Sequence, residues 1–452
     1  MKRLFDAFDA AGEELFLVGG AVRDLAMGKT YEQLDDLDFA TSALPRVTLG
    51  LLRKIRLSTY DVGMDFGTVG ATLRGPRDEG YPKDVQITTY RSAENYRRGS
   101  RHPVVSFGTS IDEDLWRRDF SINSIAMNAH GGYVDPYNGL ADIQARVLRA
   151  VGDPRERLAE DPLRILRIAR FMAKLGFEPH PELRVAATER ANWLLDIARQ
   201  RWLQEMSKLV CGPAAPAALT FLLETGALGI ILPELVELAR FSEATGASFW
   251  DETRERTQRA GSDKVLSWAA LFADTGRPWT AASHPPFHNH AVMASLLFKG
   301  VSRRFHFDNA TGEAVEHVLS QQQRALDYQP SWTDADVRRF VRDLGDNWRT
   351  VIDLGAALET DRKAGLEALR ERISKLDADG QLIPELPRGL GGVLMKELQL
   401  RPGPLVGEVV DWLTEQIVDG AIASRLSADQ YVAHLIDVSP QILARTPRFG
   451  RD

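Results

Sequence analysis

The chain has 452 residues, 44% hydrophobic and 26% charged, with a formal net charge of −7. That length is too great for one core and implies two to four domains, and the composition is that of an ordinary globular chain rather than a disordered or fibrous one. Cys211 is the only cysteine, which excludes an intrachain disulfide and fits a reducing cytoplasm; Asp6 and Asp9 interrupt any signal-peptide core, and no long apolar run offers a membrane span.

Leu17-Val18-Gly19-Gly20-Ala21-Val22-Arg23-Asp24 reads as a strand running into glycines and then a helix. Soon after, Asp35-Asp36-Leu37-Asp38-Phe39-Ala40-Thr41 reads as a strand with spaced carboxylates. Residues i and i+2 of a strand share a face, so Asp36 and Asp38 aim two negative charges at one spot. Such a site needs a cation, and hard divalent ions held by carboxylates serve phosphoryl and nucleotidyl transfer. Taken singly, the Gly-Gly is as well a turn and the Asp-x-Asp a solvated loop.

Phe66 to Leu73 and Val85 to Tyr90 read as strands from their β-branched content, and Arg74 to Gly80 as the loop between them. Past Asp153-Pro154 the pattern turns helical. Pro162 to Met172 has apolar residues at helical spacing, with Pro162 suited to a first turn and Gly176 to a stop. Gln144 to Lys208 holds thirteen Lys/Arg against nine Asp/Glu, so this stretch is locally basic although the chain is acidic. The rest, to Asp452, is a series of amphipathic helices broken by Gly and Pro.

In their order and spacing these residues resemble the class II tRNA nucleotidyltransferase (CCA-adding enzyme) and bacterial poly(A) polymerase family, within the polymerase-β-like nucleotidyltransferases. Gly19-Gly20-Ala21-Val22-Arg23-Asp24 with Asp36-Leu37-Asp38 is similar to its catalytic motif, and Arg117-Arg118-Asp119-Phe120-Ser121-Ile122-Asn123 to its ribose-sensing motif. Thr88-Thr89-Tyr90-Arg91, Tyr96 and Arg101-His102-Pro103 resemble its flexible-loop region, and Asp135-Pro136-Tyr137-Asn138-Gly139 with Asp142 its head-to-neck connector. Glu160-Asp161-Pro162-Leu163-Arg164 resembles the base-reading motif, Arg201 with Glu205 the last neck motif, and Leu400 to Gly407 the tail.

The resemblance implies an α/β head with a polymerase-β-like nucleotidyltransferase sheet, followed by an all-α neck, body and tail. The expected divisions are a head at 1–148, a neck at 149–210, a body at 211–330 and an RNA-binding tail at 331–452, with Trp332, Arg338 and Arg339 as a contact region. The implied activity is template-independent addition of C and A to the 3′ end of tRNA from CTP and ATP. A poly(A) polymerase, a CC-only or A-only enzyme and a non-catalytic tRNA-binding protein are the alternatives. No membrane or protein partner is inferred.

In this reading Asp36 and Asp38 hold two Mg²⁺ ions, one activating the RNA 3′-hydroxyl and the other clamping the triphosphate. Gly20 lets the backbone approach phosphate, and the helix opening near Ala21 offers free N–H groups. Arg23 meets a phosphate oxygen or pairs with Asp24. Asp161 and Arg164, three apart on a helix, share a face. An Asp only accepts and an Arg only donates, which matches the amino group and ring acceptor of cytosine and of adenine and opposes uracil and guanine. An Asp161–Arg164 salt bridge is the plainer alternative. The family assigns Arg167 and Arg170 to the nucleotide, with Arg118; a solvated basic stripe is the competing view. Asp119 accepts from the ribose 2′-hydroxyl, and Asn123 gives structural support.

The chain departs from the family at three places. Gln86 stands where an acid is usual, with Asp84 two residues earlier on the same face, so two carboxylates are expected to suffice. The flexible loop reads Arg98-Gly99-Ser100-Arg101, where an acid followed by Gly and Arg is common. Some relatives carry a metal phosphohydrolase module in the body. Here Leu271 to Pro278 keeps the frame of its His-Asp element, but Ala273 replaces the His and Glu252 stands near the earlier one. His284, His288 and His290 do not close a ligand set. The body is therefore expected to be a helical scaffold.

Overall fold

The computed structural model describes residues 1–34, 36–75, 83–96, 103–383, 385–438 and 440–446, with the backbone alone at 65, 92–96 and 103–106. Most of the expected 74–80 loop, and Arg98-Gly99-Ser100-Arg101 with His102, lie outside the described residues.

The head begins with α1 (Lys2–Asp9), β1 (Leu15–Val18), α2 (Gly20–Ala26), β2 (Asp36–Thr41) and α3 (Pro45–Lys54). It continues with β3 (Ser58–Gly63), β4 (Thr68–Leu73), β5 (Lys83–Thr89), the ribbon β6 (Arg91–Tyr96) and β7 (Pro103–Phe107), α4 (Ile111–Trp116), β8 (Ala126–Met127) and β9 (Tyr133–Val134). Seven strands form one sheet in the order β3-β4-β5-β2-β1-β8-β9. Neighbours are antiparallel except β2 and β5, whose parallel register sets Asp36 beside Asp84 and Asp38 beside Gln86.

The alternation along β2 positions the acids. Leu37 and Phe39 are buried, and Phe39 meets Phe5 of α1 edge-on with ring centroids 5.8 Å apart. Burial of side chains of this size stabilises by about 2 kcal/mol each, and it turns Asp36 and Asp38 to the opposite, open face.

The connector holds α5 (Gly139–Ala145) and β10 (Val147–Leu148), which pairs in parallel with β11 (Glu178–Pro179). Between those two strands lie α6 (Pro154–Glu160) and α7 (Arg164–Leu175). The Asp153 carboxylate caps α6, accepting from the N–H groups of Arg155 and Glu156 at 2.7 and 3.3 Å. In α7, Ile165, Leu166, Ile168, Ala169, Phe171 and Met172 are buried, so Arg164, Arg167, Arg170 and Lys174 form the other stripe. Gly176 ends the helix at φ 66°, a conformation glycine adopts without penalty. Asp161 corrects the sequence reading: it is not on the same helix as Arg164. It closes α6 in an extended conformation (φ −144°, ψ 97°), and α7 starts only at Arg164.

The helical remainder is α8 (Pro181–Arg190), α9 (Arg199–Val210), α10 (Ala215–Glu224), α11 (Ala227–Ile231), α12 (Pro233–Thr245), α13 (Phe249–Arg259), α14 (Lys264–Phe272), α15 (Arg277–Thr280), α16 (His290–Phe305), α17 (Asn309–Ser320) and α18 (Gln322–Leu326). Then come α19 (Asp334–Leu344), α20 (Trp348–Leu358), α21 (Lys363–Ala378), α22 (Leu390–Glu397), α23 (Pro404–Val418) and α24 (Ala428–Val438). One hydrophobic core runs from Leu4 to Leu382, and a separate one spans Leu390 to Leu443. These two cores part between Leu382 and Leu386, and residues on both sides of the division expected at 330–331 pack in the first. Arg338 is buried. Its Nε donates to the Gln381 carbonyl at 2.7 Å and its Nη1 to that of Val418 at 3.0 Å, so it ties helices together. Arg339 pairs with Asp419 and Asp336, and Trp332 packs between Tyr328 and Phe340.

Candidate active site

The open face of β2, the β1–α2 turn and α7 enclose a cleft of about 630 Å³. Asp36 and Asp38 line it together with Gly19, Gly20, Arg23, Arg118, Asp119, Asp161, Arg164, Arg167 and Arg170, so every site residue expected from the sequence borders one space. Among the described residues neither Asp36 nor Asp38 has a hydrogen-bond or ion-pair partner. The Asp38 side chain reaches solvent yet is recessed in the cleft. Desolvation there pushes its carboxyl up, Arg118 opposes, and the charge of Asp36 adds to the rise. Asp84 accepts a hydrogen bond from Thr72 Oγ1 at 3.1 Å and is not part of the cleft lining. No group of three or more His, Cys, Asp or Glu among the described residues is arranged to hold a metal ion.

Gly19 explains the sharp strand-to-helix turn. Its backbone (φ 71°, ψ −134°) is one that side-chain-bearing residues avoid, and a Cβ there would lie 2.9 Å from Arg118 Nη1. Arg118 therefore stands against the turn and in electrostatic contact with Asp38.

Among the described residues, nine Arg or Lys and six Asp or Glu side chains line the cleft, and all but Asp36, Asp38 and Lys174 are paired. Arg23 is buried and donates to Asp24 from Nε and Nη2 at 2.8 and 2.6 Å and to Asn123 Oδ1 at 2.7 Å. The pairing with Asp24 that the sequence left open is present. Asn123 in turn donates to Asp119 Oδ1 at 3.0 Å, and Arg167 donates to Asp119 Oδ2 from Nε and Nη2 at 2.8 and 2.5 Å. Burial alone would raise the Asp119 carboxyl. The Arg167 charge and the hydrogen bonds from Asn123 and Arg167 outweigh that and hold it at about 2. Arg170 donates to Glu205 Oε2 at 3.3 Å. Arg23, Arg167 and Arg170 also surround the Phe171 ring, at 5.5, 5.5 and 4.9 Å from its centroid.

The base-reading candidates are held separately. Asp161 Oδ2 accepts from Arg201 Nη2 at 2.7 Å, and the Asp161–Arg164 side-chain bridge is absent. Arg164 Nη1 donates to Glu160 Oε2 and the Arg157 carbonyl at 2.8 and 2.7 Å, and its Nη2 to the Arg117 carbonyl at 3.1 Å. Of its five N–H groups, the Nε–H and one on Nη2 have no partner among the described residues.

Sequence reasoning missed Asp114. This fully buried carboxylate accepts from Arg117 at 3.1 and 2.9 Å on one oxygen and from Arg118 at 3.2 and 2.9 Å on the other. Its spacing of three and four residues before the two arginines was a readable signal. Glu160 was read only as part of a motif, yet it joins Arg157 to Arg164.

In the body, Asp274 follows Ala273 as the His-Asp frame requires, but guanidinium groups meet it. Arg256 Nη2 lies 2.6 Å from Asp274 Oδ2 and Arg277 Nε 2.5 Å from Oδ1. Against the upward push of burial, these two charges hold the Asp274 carboxyl at about 2. His290 contributes Nδ1 to the Phe287 carbonyl at 3.0 Å, while His284 and His288 are exposed or nearly so.

A family model described as "Poly A polymerase head domain" matches residues 15–149, and one described as "Probable RNA and SrmB- binding site of polymerase A" matches residues 176–238. The chain is 41% identical over 434 residues to a CCA-adding enzyme of Levilactobacillus brevis, covering 94% of this chain and 95% of that protein. It is 39% identical over 268 residues to a CCA-adding enzyme of Geobacillus sp. (strain WCH70), covering 59% of this chain and 63% of that protein. It thus spans less than two thirds of the length of that relative. The crystal structure of the Bacillus stearothermophilus CCA-adding enzyme in complex with CTP aligns with a TM-score of 0.68 at 26% identity, over 97% of this chain and 96% of that one.

Proposed function

The chain belongs to the CCA-adding enzyme family, and from that premise we propose that it adds C and A nucleotides to the 3′ end of tRNA, using CTP and ATP without a nucleic-acid template. The observation that carries this reading is the shared cleft: an unpartnered carboxylate pair faces the arginine-bearing helix and the Asp161–Arg164 turn across one space.

Asp36 and Asp38 offer hard oxygen donors with no competing partner among the described residues, a donor set that fits Mg²⁺, which takes one or two carboxylates and completes its shell with water and phosphate. Asp36 and Asp38 would hold divalent ions there, whose charge would lower the pKa of the attacking hydroxyl and offset charge on the leaving pyrophosphate. Arg118, fixed by Asp114 and abutting Gly19, supplies positive charge beside Asp38. The Gly19–Gly20 turn lets phosphate approach the backbone. Asp119, both of whose oxygens are engaged, orients Arg167 and Asn123 next to the ribose position.

Base choice rests on fixed polarity. Asp161 presents an acceptor held by Arg201, and Arg164 presents the donors left over from its bonds to Glu160 and two carbonyls. Cytosine and adenine each place an amino donor beside a ring acceptor and satisfy both; uracil and guanine oppose both, at roughly 1–3 kcal/mol per buried mismatch. We place the activity in the cytoplasm, on the single cysteine and the lack, among the described residues, of a helix long and apolar enough to cross a membrane.

The test supplies tRNA lacking its 3′ end with CTP alone, ATP alone, and both. Addition that stops after CCA is the expected outcome. Unlimited A addition from ATP alone would make the protein a poly(A) polymerase, incorporation of only one nucleotide type would make it a CC-only or A-only enzyme, and RNA binding with no incorporation would reduce it to a binding protein.

A further inference from the structure

Each of the eight arginines lining the cleft has a carboxylate partner supplied by the protein. The ninth cation, Lys174, has none among the described residues. It is exposed, one turn beyond Arg170 on α7. Lys208 on α9 is likewise exposed and unpartnered among the described residues, and both ammonium groups feel the charge of Arg170. The one acid in electrostatic contact with Lys174 is Asp24, which Arg23 and Lys29 already share at 2.6 and 2.9 Å. The one acid in electrostatic contact with Lys208 is Glu205, which Arg167 and Arg170 already share at 3.6 and 3.3 Å, so net positive charge remains at this edge of the cleft. Desolvation, then the charge of Arg23, lowers the Lys174 ammonium; desolvation, then Arg170, lowers that of Lys208.

We infer that Lys174 on α7 and Lys208 on α9 receive a phosphodiester of the acceptor RNA strand. The inference rests on the tRNA-extending reading above and adds a contact to it. Lysine is a mobile point charge suited to backbone phosphate, which positions a strand without reading its sequence. Position along the fold favours the strand over the incoming triphosphate. The Gly19–Gly20 turn opens α2, whereas Lys174 faces Asp24 and Lys29 toward and past the other end of that helix. Ten residues of α7 also separate Lys174 from Arg164, roughly 15 Å of helix rise.

The test measures binding of tRNA lacking its 3′ end to the full chain over a range of salt concentrations, for the wild type, Lys174→Met, Lys208→Met, the double variant and Lys174→Arg. Each Met substitution should flatten the dependence of log K on log salt by about 0.7–0.9, with weaker binding at low salt. Lys174→Arg should keep the wild-type slope. The KM for CTP is the second readout. Unchanged slopes overturn the assignment, as does a loss confined to the KM for CTP, which would give the lysines to the triphosphate. Unchanged slopes in a wild type that extends RNA defeat the lysine assignment alone, whereas a wild type that neither extends nor binds tRNA defeats the functional reading beneath it.

Discussion

At the scale of single residues, the site is a set of preassembled ion pairs in which Asp36 and Asp38 have no partner among the described residues. The residue types were legible in the sequence because they fall in short, ordered motifs. Their pairings were not, because the partners come from elsewhere: Asp161 meets Arg201, forty residues on, and Asp119 meets Arg167. The local expectation of an Asp161–Arg164 bridge failed because the chain turns between α6 and α7. Asp114 and Glu160, by contrast, had local spacing that could have revealed them. The base-reading role makes a sharp prediction. Exchanging Asp161 and Arg164 so that donor and acceptor are inverted should shift preference toward UTP or GTP, each reversed contact being worth about tenfold to a hundredfold in kcat/KM. Competition between the four triphosphates measures it, and CTP and ATP selectivity that survives the exchange would count against a protein template.

At the scale of elements, the strand period and the helix period were the readable signals. β1 to α2, β2, β4, β5 and the α7 stripe lie close to where their patterns put them, because burial on one face fixes both strand register and helix rotation. In the body, the one acid of the expected His-Asp frame is held by arginines. With Ala273 in the His-Asp frame, Arg256 of α13 and Arg277 of α15 supply the positive charge that Asp274 needs. The carboxyl of Asp274 at about 2 lies below the ~3.9 of an unfolded Asp. Its stabilising contribution is therefore complete above about pH 5 and is lost as the pH falls toward the folded value. Asp274→Asn leaves Arg256 without a counter-charge and should cost about 3 kcal/mol at neutral pH. In urea unfolding, the gap between wild type and variant should narrow by about 1 kcal/mol between pH 5 and pH 3; a gap independent of pH would show that the pair does not stabilise through charge.

At the scale of the whole molecule, the α/β head followed by a long helical region was legible in the sequence, whereas the grouping of the helices into separate cores was not. The largest core reaches Leu382, a small one in the head gathers Val18, Ala40, Tyr90, Ile111, Leu115 and Ala126, and the residues from Leu390 to Leu443 form a third. No periodicity announces such a break, since amphipathic helices on either side look alike. The same holds for Arg338, which as a sequence element suggested an RNA contact but is enclosed as a clasp between α19, the end of α21 and α23. The acidic net charge likewise contrasts with a cleft in which, among the described residues, nine cationic side chains face six acidic ones, a bias of which only the basic stretch from Gln144 to Lys208 was legible.

The central claim is that the unpartnered acid pair on β2 performs nucleotidyl transfer in that cleft. Its most direct measurement is single-turnover incorporation of CMP into tRNA lacking its 3′ end by Asp36→Ala and Asp38→Ala, alongside the RNA affinity of each variant. The account expects incorporation to fall by about a thousandfold or more, a loss of about 4 kcal/mol of transition-state stabilisation, with RNA affinity within a few-fold of wild type. Near-normal incorporation by either variant would contradict it.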